Sequence, residues 1–275
     1  MILNLFPVFD FETVRIPGVL QRIALVFLFS AILFLTNSAR SLVLISISIL
    51  VLYCALMNLV PIPGGIAPNL EPTTNIGAWL DNIVLNGHLW AHSKTWDPEG
   101  LVSTLPAIVS GLIGVLTGLW LKQEIEVKEK LLKLSIAANV LIVVALAWNM
   151  SFPINKSLWT SSFVLITSGI AMHTLVFSFW VIDIKKYTKG TGVFMAFGSN
   201  AISAYMLSEL LANLMYSIKF MYKGSQTSLK GFVFELFSFD FVDPQLTSLV
   251  LALMWVALIY IPISILYKNK LFIKV

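Results

Sequence analysis

Charged residues are scarce in this sequence, at 12% of its 275 residues. That is about half of the share found in a typical soluble domain. Hydrophobic residues make up 58%, and the mean hydropathy is +0.88. Cysteine is almost lacking: Cys54 is the single one, so an internal disulfide is excluded and a small packing residue is the simplest interpretation. Scarce charge and high hydropathy together exclude an ordinary soluble domain and indicate a membrane protein.

The net charge of +4 and the isoelectric point of about 9.1 do not indicate nucleic-acid binding. The lysines lie in short loops between apolar runs, which is the distribution by which membrane proteins set their orientation. We therefore expect no nucleic-acid partner. The segment Met1–Arg15 lacks a basic start, an apolar run and a small-residue cleavage site, so we expect no cleavable signal peptide.

Seven apolar runs are each long enough, or nearly so, to cross a bilayer. About 20 helical residues span roughly 30 Å of hydrocarbon. The runs are continuously apolar rather than alternating, which argues against a barrel. We predict an all-α, polytopic membrane helix bundle of about seven transmembrane helices, forming a single transmembrane domain over residues 1–275. The predicted spans are Pro17–Thr36, Ser41–Val60, Leu101–Leu121, the short Leu134–Met150, Ser162–Asp183, Val193–Ile218 and Leu246–Tyr267.

Basic residues are concentrated in one set of alternate loops, with eleven there against six in the other set when Arg22 is left out. Cytoplasmic loops carry the excess of Lys and Arg, so we predict the N-terminus outside and the C-terminus in the cytoplasm. The residues assigned to the cytoplasmic side are Arg40, Lys122, Lys128, Lys130, Lys133, Lys185, Lys186, Lys189, Lys268, Lys270 and Lys274.

Two long loops fall on the predicted outer side. Residues 61–100 open with a cluster of Pro and Gly, and then apolar residues recur from Ile76 to Val84 at helical spacing. This pattern predicts a short amphipathic helix at the membrane interface. The second loop, Lys219–Gln245, is rich in phenylalanine and is predicted to be an interfacial aromatic segment.

Arg22 and Glu209 lie inside predicted spans, in the outer half of the bilayer. Ionisable groups are costly at that depth, so each is a functional hypothesis, and the two are candidates for an ion pair. The alternative is a pair that only fixes helix packing. Arg15 precedes Arg22 by two helical turns, and a helix starting at Pro17 would point free N–H groups outward. Arg15 and Arg22 are therefore candidates to hold a phosphate or carboxylate, with headgroup anchoring as the alternative for Arg15.

The segment Trp96–Gly100 places two carboxylates, Asp97 and Glu99, on either side of a proline. Such a pair is suited to orient or deprotonate an amine or hydroxyl. The alternative is N-capping of the following helix. Trp96 is a candidate substrate contact.

Two histidines lie four residues apart in the same loop, His88 and His92. If the short helix continues, they share a face with Asp81. Zinc binding is a weak interpretation of this spacing, and no metal is expected. A general-base role for His88 or His92 is suggested by the usual pKa of histidine, with a surface or interfacial histidine as the alternative. His173 is expected to be a buried, hydrogen-bonded residue of a span.

The outer segment Pro153–Ser162 offers amide, cationic and aromatic groups of the kinds that contact sugars: Asn155, Lys156 and Trp159. An ordinary interfacial loop with a belt tryptophan is the alternative. In the run Val193–Ile218, Asn200 and Glu209 form a polar line, or small residues there serve close packing. The glycines of Gly114–Gly118 are interpreted as a packing motif.

Four of these segments, in this order, resemble one family, the transmembrane acyltransferases of heparan-α-glucosaminide N-acetyltransferase and its bacterial relatives. The segments are Arg15–Arg22, Trp96–Pro106, Pro153–Ser162 and Phe197–Glu209. The resemblance implies acetyl-CoA as a cytoplasmic co-substrate and an amino sugar or glycan as the acceptor on the other side. It implies a multi-pass protein of a bacterial inner membrane, in contact with lipids, with a homodimer as one option. The positions carried over as site residues are Arg15, Gln21, Arg22, Asp97, Glu99, Asn155, Lys156, Asn200 and Glu209.

The sequence departs from the family pattern at its start. Family members usually have about three further helices before the motif that corresponds to Arg15–Gly18, including a loop whose histidine is associated with acetyl transfer. Met1 stands fourteen residues before Arg15, so a fragment, a mis-set start or a shortened member is expected. His88 does not match the family histidine, and its role is not carried over.

The leading hypothesis is a membrane acyltransferase. The amino sugar would dock against Trp96–Gly100 and Asn155–Trp159, and Asp97 or Glu99 would take the amine proton. Arg22 and Glu209 would hold the site together or contact the acyl donor. The alternatives are an amino-sugar transporter component without acyl transfer, for which no inverted repeat is found, and a structural membrane subunit.

Overall fold

The computed structural model describes residue 6 and residues 9–91, 93–238 and 243–273. These residues form ten α-helices and one two-stranded sheet. The helices are α1 (Val19–Thr36), α2 (Ala39–Leu59), α3 (Ile76–Val84), α4 (Leu101–Leu121), α5 (Val127–Trp148), α6 (Ser161–Phe179), α7 (Thr191–Ser199), α8 (Ala201–Ser217), α9 (Leu229–Phe237) and α10 (Pro244–Lys268). A π-helical turn, Trp180–Ile184, continues α6, and the strands are β1 (Lys219–Tyr222) and β2 (Ser225–Ser228).

Six of the described helices are long and apolar enough to cross a membrane: α1, α2, α4, α5, α6 with its π-helical turn, and α10. Their surfaces are largely exposed, since the buried share of the most apolar stretch ranges from 11% in α1 to 44% in α4. Apolar surface left uncovered along whole helices is suited to lipid. This confirms the prediction of an all-α polytopic membrane bundle. The orientation of the termini stays a prediction.

The described residues divide into two compact units, one formed by Phe11–Lys186 and the other mainly by the residues from Tyr187 onward. In the first unit, α4 packs against α1, α2, α3 and α6, and α5 packs along α6. The prediction of a single transmembrane domain stays a prediction.

The span predicted as short, Leu134–Met150, is a full helix that begins at Val127. Two long side chains in its charged first turns have partners that support the helix. Lys130 donates from Nζ to the carbonyl oxygen of Leu121 at 2.9 Å, and Lys133 pairs with Glu129 at 2.7 Å. The lysine stems thus extend the helix beyond the apolar run, which is why hydropathy alone underestimated its length.

The predicted span Val193–Ile218 is divided into two helices, so the expectation of one continuous helix is wrong. The break is at Asn200, whose backbone has φ −130° and ψ 37°. Gly198, Ser199 and Asn200 are three successive weak helix formers, and short polar side chains compete for backbone hydrogen bonds. The Oδ1 atom of Asn200 accepts from the backbone N–H of Ile273 at 3.2 Å instead.

The predicted aromatic loop Lys219–Gln245 contains a β-hairpin followed by α9. Lys223 and Gly224 both have positive φ, 47° and 81°, the combination required by a two-residue hairpin turn of type I′. Phe232 of α9 packs edge-on against Phe220 and Tyr222 of β1, with ring centroids 5.4 and 4.9 Å apart. The predicted aromatic residues Phe239 and Phe241 lie outside the described residues.

The glycine that brings helices together in α4 is Gly111, not the pair interpreted as a packing motif. A Cβ on Gly111 would lie 2.5 Å from Ser30 Oγ of α1. A Cβ on Gly114 or Gly118 would have no described atom within 4 Å. Small residues matter in membrane bundles only where two backbones approach, and sequence spacing does not identify that face.

Gly169 of α6 marks the closest approach to α5, because an added Cβ would lie 2.8 Å from the backbone oxygen of Ala138. We expect Gly169→Ala to lower the free energy of unfolding by about 1–3 kcal/mol, since a backbone atom cannot move aside. Thermal unfolding of the purified protein in detergent measures this. Gly114→Ala, at an open position of α4, is the matched control. Equal melting temperatures for the two variants would contradict the packing.

Candidate functional site

The polar site lies at one end of the first unit, where α1, α4 and α6 begin and α2 ends. A buried apolar cluster supports it: Tyr53, Met57, Ile62, Ile76, Val102, Phe152 and Leu158. The Tyr53 hydroxyl donates to the backbone oxygen of Leu158 at 2.5 Å. This bond ties the end of α2 to the loop before α6.

Arg15 forms a two-pronged ion pair with Asp97. Its Nε donates to Oδ2 at 2.7 Å, its Nη2 donates to Oδ1 at 2.5 Å, and Nη2 also donates to Glu99 Oε2. Burial alone would lower the pKa of Arg15, but the hydrogen bonds and charges of Asp97 and Glu99 raise it above its usual value. Arg15 is therefore a positively charged residue whose guanidinium is paired with two carboxylates of the protein. These contacts argue against the alternative that Arg15 anchors the chain at lipid headgroups.

Asp97 and Glu99 do not cap α4, as the alternative interpretation had it. The N-cap residue is Gly100, and Asp97 instead accepts from the backbone N–H of Glu99 at 2.9 Å. Asp97 has no exposed side-chain surface, and both of its oxygens are bonded to Arg15. A role for Asp97 as proton acceptor would require this ion pair to open.

Arg22 is buried in the first turns of α1, with 5% of its surface exposed. The helix begins at Val19 after Gly18, rather than at Pro17, and the Arg22 N–H donates to the Gly18 oxygen. Its Nη2 donates to the backbone oxygen of Pro98 at 2.8 Å and to Ser103 Oγ. Its guanidinium carbon lies 5.0 Å from the ring centroid of Trp159, a cation–π contact.

Three buried donors beside these contacts have no acceptor among the described residues: Arg22 Nε, Arg22 Nη1 and Gln21 Nε2. A buried donor without an acceptor costs about 1–3 kcal/mol. Arg15 takes up both nearby carboxylates, so Arg22 has no carboxylate bonded to it in the described part of the chain. The predicted Arg22–Glu209 pair stays a prediction, because Glu209 belongs to the second unit.

Asp81 of α3 is a site residue whose function sequence reasoning missed. It is 3% exposed, and its Oδ1 accepts from the Leu101 N–H at 2.9 Å, which caps the start of α4. Burial raises the pKa of Asp81 to about 6, more than the Leu101 hydrogen bond lowers it. The available signal was its place among Ile76, Ala78 and Leu80, because an acid among the apolar residues of a short amphipathic helix needs a buried partner.

This pKa predicts a pH dependence. A carboxyl group with a raised pKa in the folded state stabilises the fold most below its unfolded pKa of 3.8, and that contribution is lost as the pH rises to about 6. We expect Asp81→Asn, which keeps the acceptor for Leu101, to raise the melting temperature above pH 6 and to leave it nearly unchanged below pH 4. By linkage the gain is about 3 kcal/mol at most. Melting curves from pH 4 to 8 measure it; a pH-independent difference would contradict the assignment.

His88 holds the segment before α1 in place. The Nδ1 atom of His88 lies 2.9 Å from the backbone oxygen of Val14, which can only accept a hydrogen bond. The backbone oxygen of His88 accepts from the backbone N–H of Ile16 at 2.9 Å. The short helix α3 was predicted correctly, but it ends at Val84, so Asp81 and His88 do not share a continued helical face. His92 lies outside the described residues. The general-base role of His88 stays a prediction, and its contacts favour a structural role.

Of the described residues predicted from Pro153–Ser162 to contact a sugar, only Trp159 contacts Arg22. Asn155 forms a local turn, because its Oδ1 accepts from Ser157 at 2.8 Å and Leu158 at 3.2 Å. Lys156 is exposed. Trp159 reaches the site through Arg22, and its Nε1 donates to Ser110 Oγ at 3.2 Å. The amide oxygen of Asn155 is thus engaged, and its predicted contact with a sugar stays a prediction.

A small cleft beside α3 has about 20 Å³ of space for water-sized groups, enough for about one such group. Tyr53, Asn75, Asp81, Trp96 and Asp97 contribute to its walls. Trp96 is half-buried there and packs edge-on against Trp90, with ring centroids 6.0 Å apart. The cleft therefore combines carboxylates with aromatic rings. The backbone of Gly100 closes against Asp81, since a Cβ there would lie 1.8 Å from Oδ2.

The other predicted residues lie away from this site or in the second unit. Asn200 is fully buried at the break between α7 and α8, and Glu209 is half-buried in α8. His173 is half-buried and lies 3.1 Å from Asn139 Oδ1. Among the residues that the structure describes, no group of three or more His, Cys, Asp and Glu could hold a metal ion.

Comparison with known proteins identifies relatives along nearly the whole chain. No protein-family model matches it. The chain is 27% identical over 316 aligned positions to "Heparan-alpha-glucosaminide N-acetyltransferase" of Homo sapiens, and 27% identical over 317 to the protein of the same name from Mus musculus. Each alignment covers 97% of this chain and 45% of the relative, so the chain spans about half the length of these relatives. The resemblance to heparan-α-glucosaminide N-acetyltransferase predicted from the four sequence segments is confirmed.

Proposed function

We propose that this chain forms part of a membrane N-acetyltransferase. The enzyme would move an acetyl group from acetyl-CoA on the cytoplasmic side to the amine of an amino sugar on the other side of the membrane. The observation that carries the proposal is the similarity over 97% of the chain to proteins named as N-acetyltransferases. A bacterial inner membrane as the location, and the orientation with the site outward, belong to the same proposal.

The buried donors beside Arg22 support a place for the acyl donor. Arg22 Nε, Arg22 Nη1 and Gln21 Nε2 offer N–H groups that lack acceptors among the described residues. Carbonyl and phosphate oxygens are acceptors that a guanidinium binds well. N–H groups preorganised towards a carbonyl oxygen also stabilise the negative charge that develops there during acyl transfer. The contact with the acyl donor expected for Asn200 and Glu209 stays a prediction.

The substitution Arg22→Lys tests this role. Arg22→Lys keeps the positive charge but removes the donors Nε and Nη1, so we expect the KM for acetyl-CoA to rise about tenfold or more. Acetyl transfer from labelled acetyl-CoA to glucosamine is measured in proteoliposomes of the complete protein encoded by the gene. Glu71→Gln, an exposed position in the loop before α3, is the control. An unchanged KM would contradict the donor site.

Two controls test the proposed acetyl transfer itself, one with a blocked substrate and one with a variant of the site. N-acetylglucosamine, whose amine is blocked, should accept no label, and the Asp97→Asn/Glu99→Gln variant should lose transfer because the Arg15 ion pair is lost. Labelling of glucosamine no higher with the wild type than with this variant would contradict the assignment as an acetyltransferase.

A transporter for amino sugars is the second candidate, and the interrupted helix favours it. Discontinuous helices at membrane depth often bind substrates in transporters. The break at Asn200 between α7 and α8 falls within a run that hydropathy predicts as a span. Uptake of glucosamine into vesicles without any acyl donor, lost in Asn200→Ala, would support transport over acyl transfer.

A further inference from the structure

The cleft beside α3 contains a buried carboxylate that the Arg15 ion pair does not use. Asp81 makes one hydrogen bond, from Leu101 N–H to Oδ1, and no ion pair with any Lys, Arg or His in the described ranges. A buried carboxylate without a bonded cation is costly unless something compensates it. Capping α4 compensates one oxygen only.

The neighbouring polar groups of the cleft are already engaged. The Tyr53 hydroxyl donates to Leu158, and both Asp97 oxygens accept from Arg15. The Asn75 amide accepts from Ala78 and donates to the Glu71 carbonyl at 2.7 Å. Asp81 is therefore the acid of this wall that remains able to take a new partner.

We infer that this cleft is the subsite for the primary amine of the acceptor, and that Asp81 accepts the proton which the amine must lose. This inference rests on the proposed acetyltransferase function and adds a catalytic residue to it. An ammonium group would compensate the Asp81 charge, and the aromatic rings of Trp96 and Tyr53, which also line the cleft, suit a cation. The cleft therefore favours an acceptor with a free primary amine over one whose amine is acetylated or replaced by a hydroxyl group.

The proton transfer is balanced. The ammonium gives one proton to the Asp81 carboxylate, which leaves a nitrogen lone pair and a neutral carboxyl group. The nitrogen attacks the thioester carbonyl carbon, the C–N bond forms and the C–S bond breaks. The departing thiolate takes the second nitrogen proton, and Asp81 returns the first proton to water. The products are the N-acetylated sugar, the free thiol of coenzyme A and one proton.

Burial is the main cause of the raised pKa of Asp81, and neighbouring charged groups modify it. Asp97, in the loop before α4, raises its pKa, and Arg22 of α1 lowers it, both less than burial does. Tyr53 of α2 also lines the cleft. Burial thus places the pKa of Asp81 at about 6, in the range where a carboxylate is an effective base at neutral pH.

The first test measures binding without turnover. Glucosamine and N-acetylglucosamine are titrated by calorimetry against wild type, Glu71→Gln and Asp81→Asn at pH 7.5. Asparagine keeps the size of the side chain and the acceptor for Leu101, so the fold is preserved. We expect wild type and Glu71→Gln to prefer glucosamine, and Asp81→Asn to bind glucosamine about tenfold more weakly. Equal affinity of Asp81→Asn and wild type for glucosamine, or no preference in wild type, would overturn the inference.

The second test measures acetyl transfer by the complete protein from pH 5 to 9. We expect the wild-type kcat/KM to fall as the pH drops through about 6. Asp81→Asn should lose kcat about 100-fold while its melting temperature is unchanged or higher. If wild type transfers acetyl groups and Asp81→Asn matches it at every pH, Asp81 only caps α4 and the inference is wrong. If wild type transfers nothing, the proposed function fails, and the binding comparison still decides the amine subsite.

Discussion

Replacing Gly100 by alanine should cost more stability than any other single methyl group added to the first unit. A Cβ at this position would lie 1.8 Å from Asp81 Oδ2, 2.7 Å from its Cγ and 2.9 Å from its Oδ1. Asp81 cannot move away freely, since it is buried and its Oδ1 caps Leu101. We expect Gly100→Ala to lower the free energy of unfolding by about 3 kcal/mol or more, measured by thermal or denaturant unfolding in detergent.

A double-mutant cycle isolates the cause. Asp81→Ala removes all three clashing atoms, so Gly100→Ala should cost less than about 1 kcal/mol in that background. A cost that is equal in both backgrounds would show that alanine disturbs the helix start itself. In that case, the cost of Gly100→Ala would not come from a clash with Asp81.

Breaking the Arg15–Asp97 pair should have the second large effect. The Asp97 side chain is fully buried and the Arg15 side chain is 23% exposed. Removal of one partner leaves an uncompensated charge, which costs about 3–5 kcal/mol for a buried pair. Arg15 keeps some access to water and retains Glu99, so we expect Asp97→Ala to cost about 3 kcal/mol.

The same chain offers a control pair of the same chemistry. Lys133 and Glu129 are 2.7 Å apart on α5, with side chains 53% and 48% exposed. Such an exposed pair contributes at most about 0.5 kcal/mol. Double-mutant cycles in unfolding experiments should therefore give a much larger coupling for Arg15–Asp97 than for Lys133–Glu129. Similar couplings would contradict the buried network at the start of α1 and α4.

Much of the fold follows from the sequence because membrane spans depend mainly on local hydropathy. The predicted run Leu101–Leu121 coincides with α4, and the amphipathic pattern from Ile76 to Val84 coincides with α3. Hydropathy fails where another force determines the boundary. The lysine stems at the start of α5 lengthen a helix, and Asn200 interrupts one.

The candidate site could be predicted only as a set of residue types. Arg15, Arg22, Asp97, Glu99 and Trp159 were expected on one side of the membrane, and the structure places all five together. Which partner each would take depends on distances that no local pattern encodes. This is why the bonding of Arg15 to both acids was not predicted.

The role of Asp81 was missed for the same reason. Its partner, the start of α4, lies 20 residues further along the chain. A spacing argument grouped it with His88 and His92 instead, on a helix that ends at Val84.

The most direct test of the proposed function is to measure acetyl transfer from acetyl-CoA on one side of a membrane to glucosamine on the other side. Glucosamine is sealed inside vesicles whose cytoplasmic face is outward, and labelled acetyl-CoA is added outside only. We predict labelled N-acetylglucosamine inside vesicles that contain the wild-type complete protein, and little in vesicles with Arg22→Lys. Glucosamine that remains unacetylated inside, while the protein is folded and correctly oriented, would contradict transfer across the membrane.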